Sequence, residues 1–293
     1  MSRLKRRQSE KGDPGEVLAA DRELIGAELR DALRFDREVP ARLAAAMRYA
    51  VMGPGKRIRP ALALEAFRAA GGRNLAAVLP FCSGIELIHT FSLIHDDLPS
   101  MDDDDFRRGR PSLHRKFGEA TAILAADGLF AYAFELFARA PGPAARKLAA
   151  IRVICRAAGP SGMTGGQMLD IASGTRARTL AAVAVTQRKK TAEFMAAAVV
   201  AGAILGGATA AVQRRLEPAG LALGMLFQMT DDLLDAEQAS DVSRATMVSA
   251  CGRARGTNRA GSEARKAERL FRALGGKYRL FAAFPQLVLR RKS

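Results

Sequence analysis

The chain of 293 residues contains no tryptophan, three tyrosines, three cysteines and three histidines. Each scarcity removes a class of protein. Cys82, Cys155 and Cys251 show no CxxC spacing, which excludes a disulfide scaffold and a cysteine-rich zinc site and fits a reducing compartment. His89 and His95 are six apart, so they do not stack on one helix face, and no third histidine lies near to make a zinc site. Aromatic residues make up 6% of the chain, so Leu, Ala and Met must build the core. Period-2 runs of Val, Ile and Thr are absent, and no strand is expected. No uncharged apolar run approaches membrane-spanning length except Phe194 to Val212, whose small residues read as a buried helix. The N-terminal MSRLKRRQSEKGD has no apolar stretch of a signal peptide, so a cytoplasmic protein without a membrane span is expected.

What is present is a globular composition, 48% hydrophobic and 26% charged, with length enough for one large core. The net charge of +16 invites a nucleic-acid reading. Its distribution argues otherwise. Residues 1–12 hold five Lys/Arg and one acid, and residues 241–293 hold thirteen and three. The 228 residues between hold 28 basic and 26 acidic groups, a net +2. The body is nearly neutral, and no basic face for nucleic acid is expected on it.

Residues 1–15 read as a basic tail, and 16–293 as one domain. Helical periodicity starts at Val17 and returns at 40–52, 61–70, 75–98, 120–140, 144–158, 163–173, 189–212 and 217–237. The glycine- and proline-rich GPGKRIRP breaks the second helix from the third. The expected fold class is all-α, a large single-domain bundle of long helices.

Two acidic groups stand out. Asp96, Asp97, Asp102, Asp103, Asp104 and Asp105 close the apolar segment FCSGIELIHTFSLIH and run into Arg107, Arg108 and Arg110. Far along the chain, Asp231, Asp232 and Asp235 end another apolar helix, with 231 and 235 on one face. Carboxylates set among Met, Leu and Phe are costly unless a cation compensates. Hard oxygen ligands without His or Cys point to Mg²⁺, which takes one or two carboxylates and completes its shell with water and phosphate. Two such clusters facing each other would make a multi-magnesium site for a polyphosphate. Donors for phosphate are at hand: Lys56, Arg57 and Arg59 in the glycine loop, Arg107 and Arg108, and Lys189, Lys190 and Thr191 at an expected helix N-terminus.

These residues resemble the trans-isoprenyl diphosphate synthases, and among them the bacterial farnesyl and geranylgeranyl diphosphate synthases. The resemblance spans roughly residues 20–250. It rests on GKRIRP at 55–60, ELIHTFSLIHDDLPSMDDDDFRRGRPSLH at 86–114, GGQMLD at 165–170, KKT at 189–191 and FQMTDDLLD at 227–235. It implies an isoprenoid-synthase fold and head-to-tail transfer of an allylic prenyl group to isopentenyl diphosphate through an allylic cation. The implied Mg²⁺ ligands are Asp96, Asp97 and Asp102 on one side and Asp231, Asp232 and Asp235 on the other. Helix geometry alone would pair Asp96 with Asp103. The resemblance makes Asp96, Asp97, Asp231 and Lys190 the catalytic set. It puts Gly55, Lys56, Arg59, His89 and Arg108 on the isopentenyl diphosphate and Arg107 on the allylic diphosphate. Lys190, Thr191 and Gln228 would contact the allylic substrate or brace the cation.

Product length in such enzymes is set by bulk near the first aspartate motif. Phe91 and Ser92 occupy the fifth and fourth positions before Asp96. The aromatic at the fifth position favours stopping at fifteen carbons, with geranylgeranyl diphosphate as the alternative product. A homodimer is implied as well. Beyond about residue 251 the likeness fades into an Arg-rich terminus, read as divergent or frame-shifted and as uninformative about function. Arg244 stands where a diphosphate-binding lysine is usual. A terpene cyclase is disfavoured by DDLLD, and a non-catalytic subunit by the two intact aspartate clusters.

Overall fold

A computed structural model of the chain describes residues 13–173, 179–238 and 246–291. The first helix, α1 (Pro14–Ala32), starts where the sequence supplies a cap. Asp13 accepts hydrogen bonds from the Gly15 and Glu16 amides at 3.1 and 3.3 Å, and Pro14 fills the first turn. The GDPG segment is therefore the start of a helix and not the end of a tail. There follow α2 (Ala41–Val51), α3 (Ile58–Ala69), a 3₁₀ turn (Leu75–Ala77), α4 (Leu79–Asp96), α5 (Leu113–Phe117), α6 (Glu119–Arg139), α7 (Ala144–Ala158) and α8 (Met163–Ser173). Among the described residues the only strands are β1 (Phe106–Arg107) and β2 (Arg110–Pro111), a two-residue hairpin that no sequence periodicity is long enough to signal.

The second half departs further from expectation. A helix beginning at 189 is not found. Instead Thr179 caps α9 (Leu180–Gln187) by accepting from the Ala182 amide at 3.2 Å. The helical run continues through a π turn (Arg188–Ala192) into α10 (Glu193–Gly206). It stops at Gly207, which adopts φ +94. The next helix, α11 (Ala210–Gln238), starts seven residues before the expected 217 and contains Pro218. The Arg-rich terminus is helical too: α12 (Met247–Cys251), α13 (Arg253–Arg272) and α14 (Arg279–Leu289).

Apolar on every face, α10 is buried from Phe194 to Leu205 and forms the axis of the bundle. It packs against α3, α7 and α11. Gly202 permits the closest approach, since a Cβ there would collide with the Ala63 carbonyl of α3. By length and hydropathy, 75–96 and 119–139 would each suffice to cross a membrane. In this fold α4 and α6 pack on one another, with Phe81 stacked on Phe137 at 4.7 Å, and 67% of the first apolar window is buried in the bundle. A cavity of about 250 Å³ opens between α1, α3, α10, α11 and α14, beside Lys56 and Arg291.

One buried charge cluster ties α1 to α3. Arg68 donates to Asp21 at 2.6 Å and also pairs with Glu65. Two carboxylates thus share one guanidinium, and the second Asp21 oxygen has no partner. Burial pushes the Asp21 carboxyl up to about 7, against the pull of Arg68. The folded state then holds a proton that the unfolded chain releases near the ordinary 3.8. Stability is expected to rise by about 2 kcal/mol as pH falls from 8 to 5. Asp21→Asn should flatten that slope, as read from denaturant midpoints across pH.

Candidate active site

Helix α4 carries its first aspartates at its C-terminal end, where the chain folds back on itself. Met101 and Asp103 donate backbone N–H to Leu98 O at 2.9 and 3.1 Å, and Asp102 donates to Asp96 O at 2.9 Å. The four residues between Asp97 and Asp102 therefore close a loop that returns Asp102 to Asp96. Asp103, at φ +51, turns out and is exposed. Continuing the ideal helix would have brought Asp103 round instead. The Asp96 carboxyl is pushed up to about 6, first by burial and also by Asp102 and Asp97, with Lys190 and Arg107 opposing. It is a desolvated carboxylate held among like charges.

Asp97 has another fate. It is 3% exposed and receives both Arg107 Nε, at 2.8 Å, and Arg107 Nη2. Arg107 also donates to Asp104 at 2.8 Å. Arg107, expected on a diphosphate, is thus tied to the acid loop. The β1–β2 turn sets this up. Arg108 and Gly109 both have positive φ, +54 and +74, the geometry of a tight hairpin. The turn sends Arg107 to the acids and Arg108 toward Gly55. A Cβ on Gly55 would stand 2.5 Å from the Arg108 guanidinium and would push it aside.

Around Gly55 the basic residues divide. Arg57, read from sequence as a phosphate donor, is turned inward and buried, with φ +50 at the cap of α3. It pairs with Glu86 and donates to the carbonyls of Val51 and Gly53, the latter at 3.0 Å. Such an arginine positions the loop and is not available to a ligand. Arg59 points Nη1 at His89 Nε2, 3.3 Å away. A guanidinium only donates, so His89 accepts there as a neutral imidazole. Burial lowers the His89 pKa well below the ordinary value, and Arg59, Arg108, Arg57 and Arg107 lower it further. Glu86, 1% exposed, is the carboxylate whose charge acts on Arg59 and Arg108 as well as pairing with Arg57. Sequence reasoning missed Glu86, although it stands three residues before His89 on α4.

The second aspartates ride on α11. Asp231 is raised by burial and by Asp235, with Arg291 and Lys56 opposing. Arg291 pairs with its carboxylate, donates to Phe227 O at 3.0 Å and lies 4.1 Å over the Phe227 ring. The C-terminal arginines therefore reach the site, contrary to the expectation that the terminus says nothing about function. Asp232 is 4% exposed and accepts three hydrogen bonds. They come from Gln187 Nε2 at 2.6 Å, the Met247 amide at 2.7 Å and Gln228 Nε2 at 3.0 Å. Like Asp97, it is committed to donors of the chain. Arg244 lies outside the described residues.

The π turn joins the two halves. Thr191 donates to Gln228 Oε1 at 2.9 Å, and Lys190 bonds Asp170 at 3.0 Å while its charge acts on Asp96. Lys189 turns away to the Ser161 carbonyl at 2.6 Å. Because 188–192 sits inside a helical run, the free helix N-terminus expected there for anion binding does not exist. Gly166 lets α8 lie on this turn, since a Cβ would strike the Lys190 backbone. The GGQMLD segment thus supplies both the close approach and Asp170, the partner of Lys190.

Phe91 is half-buried, its ring 4.8 Å from Phe130 and 4.6 Å from His95. Ser92 donates to the His89 carbonyl at 2.9 Å. Phe91 therefore begins an aromatic row that runs through Phe130, Phe134 and Phe137 along the α4–α6 interface.

Among the described residues no three Asp, Glu, His or Cys side chains converge to hold a metal by themselves. What the site offers is two desolvated carboxylate sets on helices α4 and α11, with Lys56, Arg59, Lys190 and Arg108 beside them. That donor set fits Mg²⁺ carried in with a diphosphate, whose oxygens complete the shell.

The comparisons with known proteins agree with this chemistry. A family model described as polyprenyl synthetase matches residues 40–247. The farnesyl diphosphate synthase of Geobacillus stearothermophilus is 46% identical over 207 residues, 70% of this chain and 69% of that protein. Geranylgeranyl pyrophosphate synthase 7 of Arabidopsis thaliana is 40% identical over 69% of this chain and 59% of that protein. Among solved structures, an FPP/GFPP synthase from Zymomonas mobilis superposes with TM-score 0.86 at 31% identity, covering 94% of this chain and 98% of that one. With aspartate sets on α4 and α11, an arginine cluster gathered around Glu86 and a family match across most of its length, the chain belongs to the polyprenyl synthetase family.

Proposed function

We propose that the protein is a farnesyl diphosphate synthase. It condenses isopentenyl diphosphate head-to-tail with dimethylallyl diphosphate and then geranyl diphosphate, and releases diphosphate at each step. The observation that carries the reading is the separation of two anion-binding environments. One sets the desolvated Asp96 beside Asp102 and the desolvated Asp231 beside the exposed Asp235, and suits a diphosphate that arrives with Mg²⁺. The other is a cluster of Lys56, Arg59, Arg108 and neutral His89, which suits a diphosphate bound by cations of the chain alone.

Asp96, Asp102, Asp231 and Asp235 would hold Mg²⁺ carried in with that diphosphate, and the metal would supply stabilisation of negative charge on the leaving group. Asp97 and Asp232 orient the acid loop and the Met247 turn through their bonds to Arg107 and Gln187. Lys190 donates to the departing phosphate oxygens, and the Thr191–Gln228 pair lines the position of the allylic cation. The second cluster orients the isopentenyl double bond toward that cation, and a proton is lost to the released diphosphate. A cytoplasmic homodimer completes the proposal. The exposed Ile123 and Leu124 on α6 supply an apolar face for a second copy.

Mixing the protein with geranyl and isopentenyl diphosphates and Mg²⁺ should release diphosphate, and EDTA should stop it. Release from geranyl diphosphate alone at the same rate would indicate a cyclase or hydrolase. Glu86→Gln should raise KM for isopentenyl diphosphate about tenfold, the loss of roughly one charge-assisted hydrogen bond. KM for geranyl diphosphate should hold. Steady-state rates with each substrate varied separate these effects, and equal changes in both constants would contradict two distinct sites.

A further inference from the structure

The Arg-rich terminus folds into a surface with one-signed charge. Residues 246–291 hold eleven Lys/Arg and only two acids, Glu263 and Glu268. Helix α13 buries Gly256, Ala260, Ala264, Ala267 and Phe271 along one stripe. Opposite that stripe, Arg255, Arg259, Arg265, Lys266, Arg269 and Arg272 are all exposed. At ~100° per residue they fall within an arc of about 140°. The two acids flank the stripe and are half-buried, Glu263 holding Lys266 at 2.8 Å and Glu268 holding Arg272 and Gln286. The centre of the face carries no acid. A merely solvated surface mixes signs, as the body of this chain does, because a single-sign field repels itself.

We propose that the outer face of α13 docks the protein on anionic phospholipid bilayers. The face runs about 26 Å from Arg255 to Arg272, on a helix of twenty residues. It packs along α11 and α14, which leaves its cationic face free to lie flat on a plane. Its one aromatic, Phe271, is buried, so no ring is offered for stacking on bases. Guanidinium forks match phosphodiester oxygens, and each cation near an anionic surface adds an increment of affinity that salt screens.

The test is sedimentation of the full chain with phosphatidylglycerol vesicles and with phosphatidylcholine vesicles. Binding is expected to the first only, and to weaken as salt rises. Reversing three charges (Arg259→Glu, Lys266→Glu, Arg269→Glu) should weaken it by more than about a hundredfold, at about fivefold for each cation lost before the added repulsion. Helical content and prenyl transfer should stay unchanged. Neutralising the N-terminal cations (Arg3→Gln, Lys5→Gln, Arg6→Gln, Arg7→Gln) should leave most of the binding. Equal binding to both vesicles, binding lost with the N-terminal set alone, or capture of duplex DNA in place of vesicles would overturn the proposal.

Discussion

Asp96→Asn is expected to lower kcat by at least about a thousandfold, and Asp231→Asn to do the same. Each removes the charge of a carboxylate whose environment already resists it. Burial raises both carboxyls, and a second aspartate raises each further. A group placed so unfavourably gains most from a divalent cation. Asp97→Asn and Asp232→Asn should behave differently. Their oxygens are committed to Arg107 and to Gln187, Gln228 and Met247. Loss there should show first as lower stability and a smaller fall in kcat. The pH profile adds a second reading of Asp96. With its pKa near 6 in the folded state and 3.8 free, protonation favours the fold, so the metal-free protein gains stability as pH drops from 7 toward 4. Turnover should instead fall as pH drops, because protons compete with the cation for Asp96. Thermal melts and rate profiles over the same pH range test both signs.

Phe91→Ala is expected to move the main product from fifteen carbons to twenty or more. The Phe91 ring heads the row formed with Phe130 and Phe134 between α4 and α6. Removing it opens the wall one turn and a half below the aspartates, where a growing chain would press. A second substitution, Phe130→Ala, should lengthen the product again. Each change costs about 2–3 kcal/mol of packing, so Phe91→Leu, which keeps most of the volume, separates lost stability from a lengthened channel. It should remain folded and shift product length less. Chromatography of dephosphorylated products measures the outcome, and an unchanged C15 product from Phe91→Ala would remove Phe91 from that role.

Much of the bundle was legible because its helices are apolar at helical spacing and end at glycine or proline. The segments at 144–158 and 163–173 match α7 and α8, where PGP and GPSG mark the breaks. The failures have physical causes. Between 180 and 206 the Ala/Val-rich sequence sustains a helix from the Thr179 cap, and local pattern does not encode a π turn inside it. The helix expected from 217 begins at Ala210, and α11 carries Pro218 inside it. The Arg-rich terminus read as divergent and uninformative, although its small residues at 256, 260, 264 and 267 keep the spacing of a buried stripe. In the site, aspartate spacing identified the acids but not their partners. Which aspartate faces the cleft is decided by Arg107, Gln187 and the loop that returns Asp102, contacts made by residues distant in sequence. Arg57 and Arg59 are two positions apart, the first at the cap of α3 and the second in its first turn, and the backbone at φ +50 sends Arg57 inward to Glu86.

The most direct measurement is the chain length of the product formed from isopentenyl and geranyl diphosphates with Mg²⁺. Farnesyl diphosphate as the main product, absent when EDTA is added, is the predicted result. No condensation product from folded protein, together with salt-sensitive binding to DNA, would contradict the account.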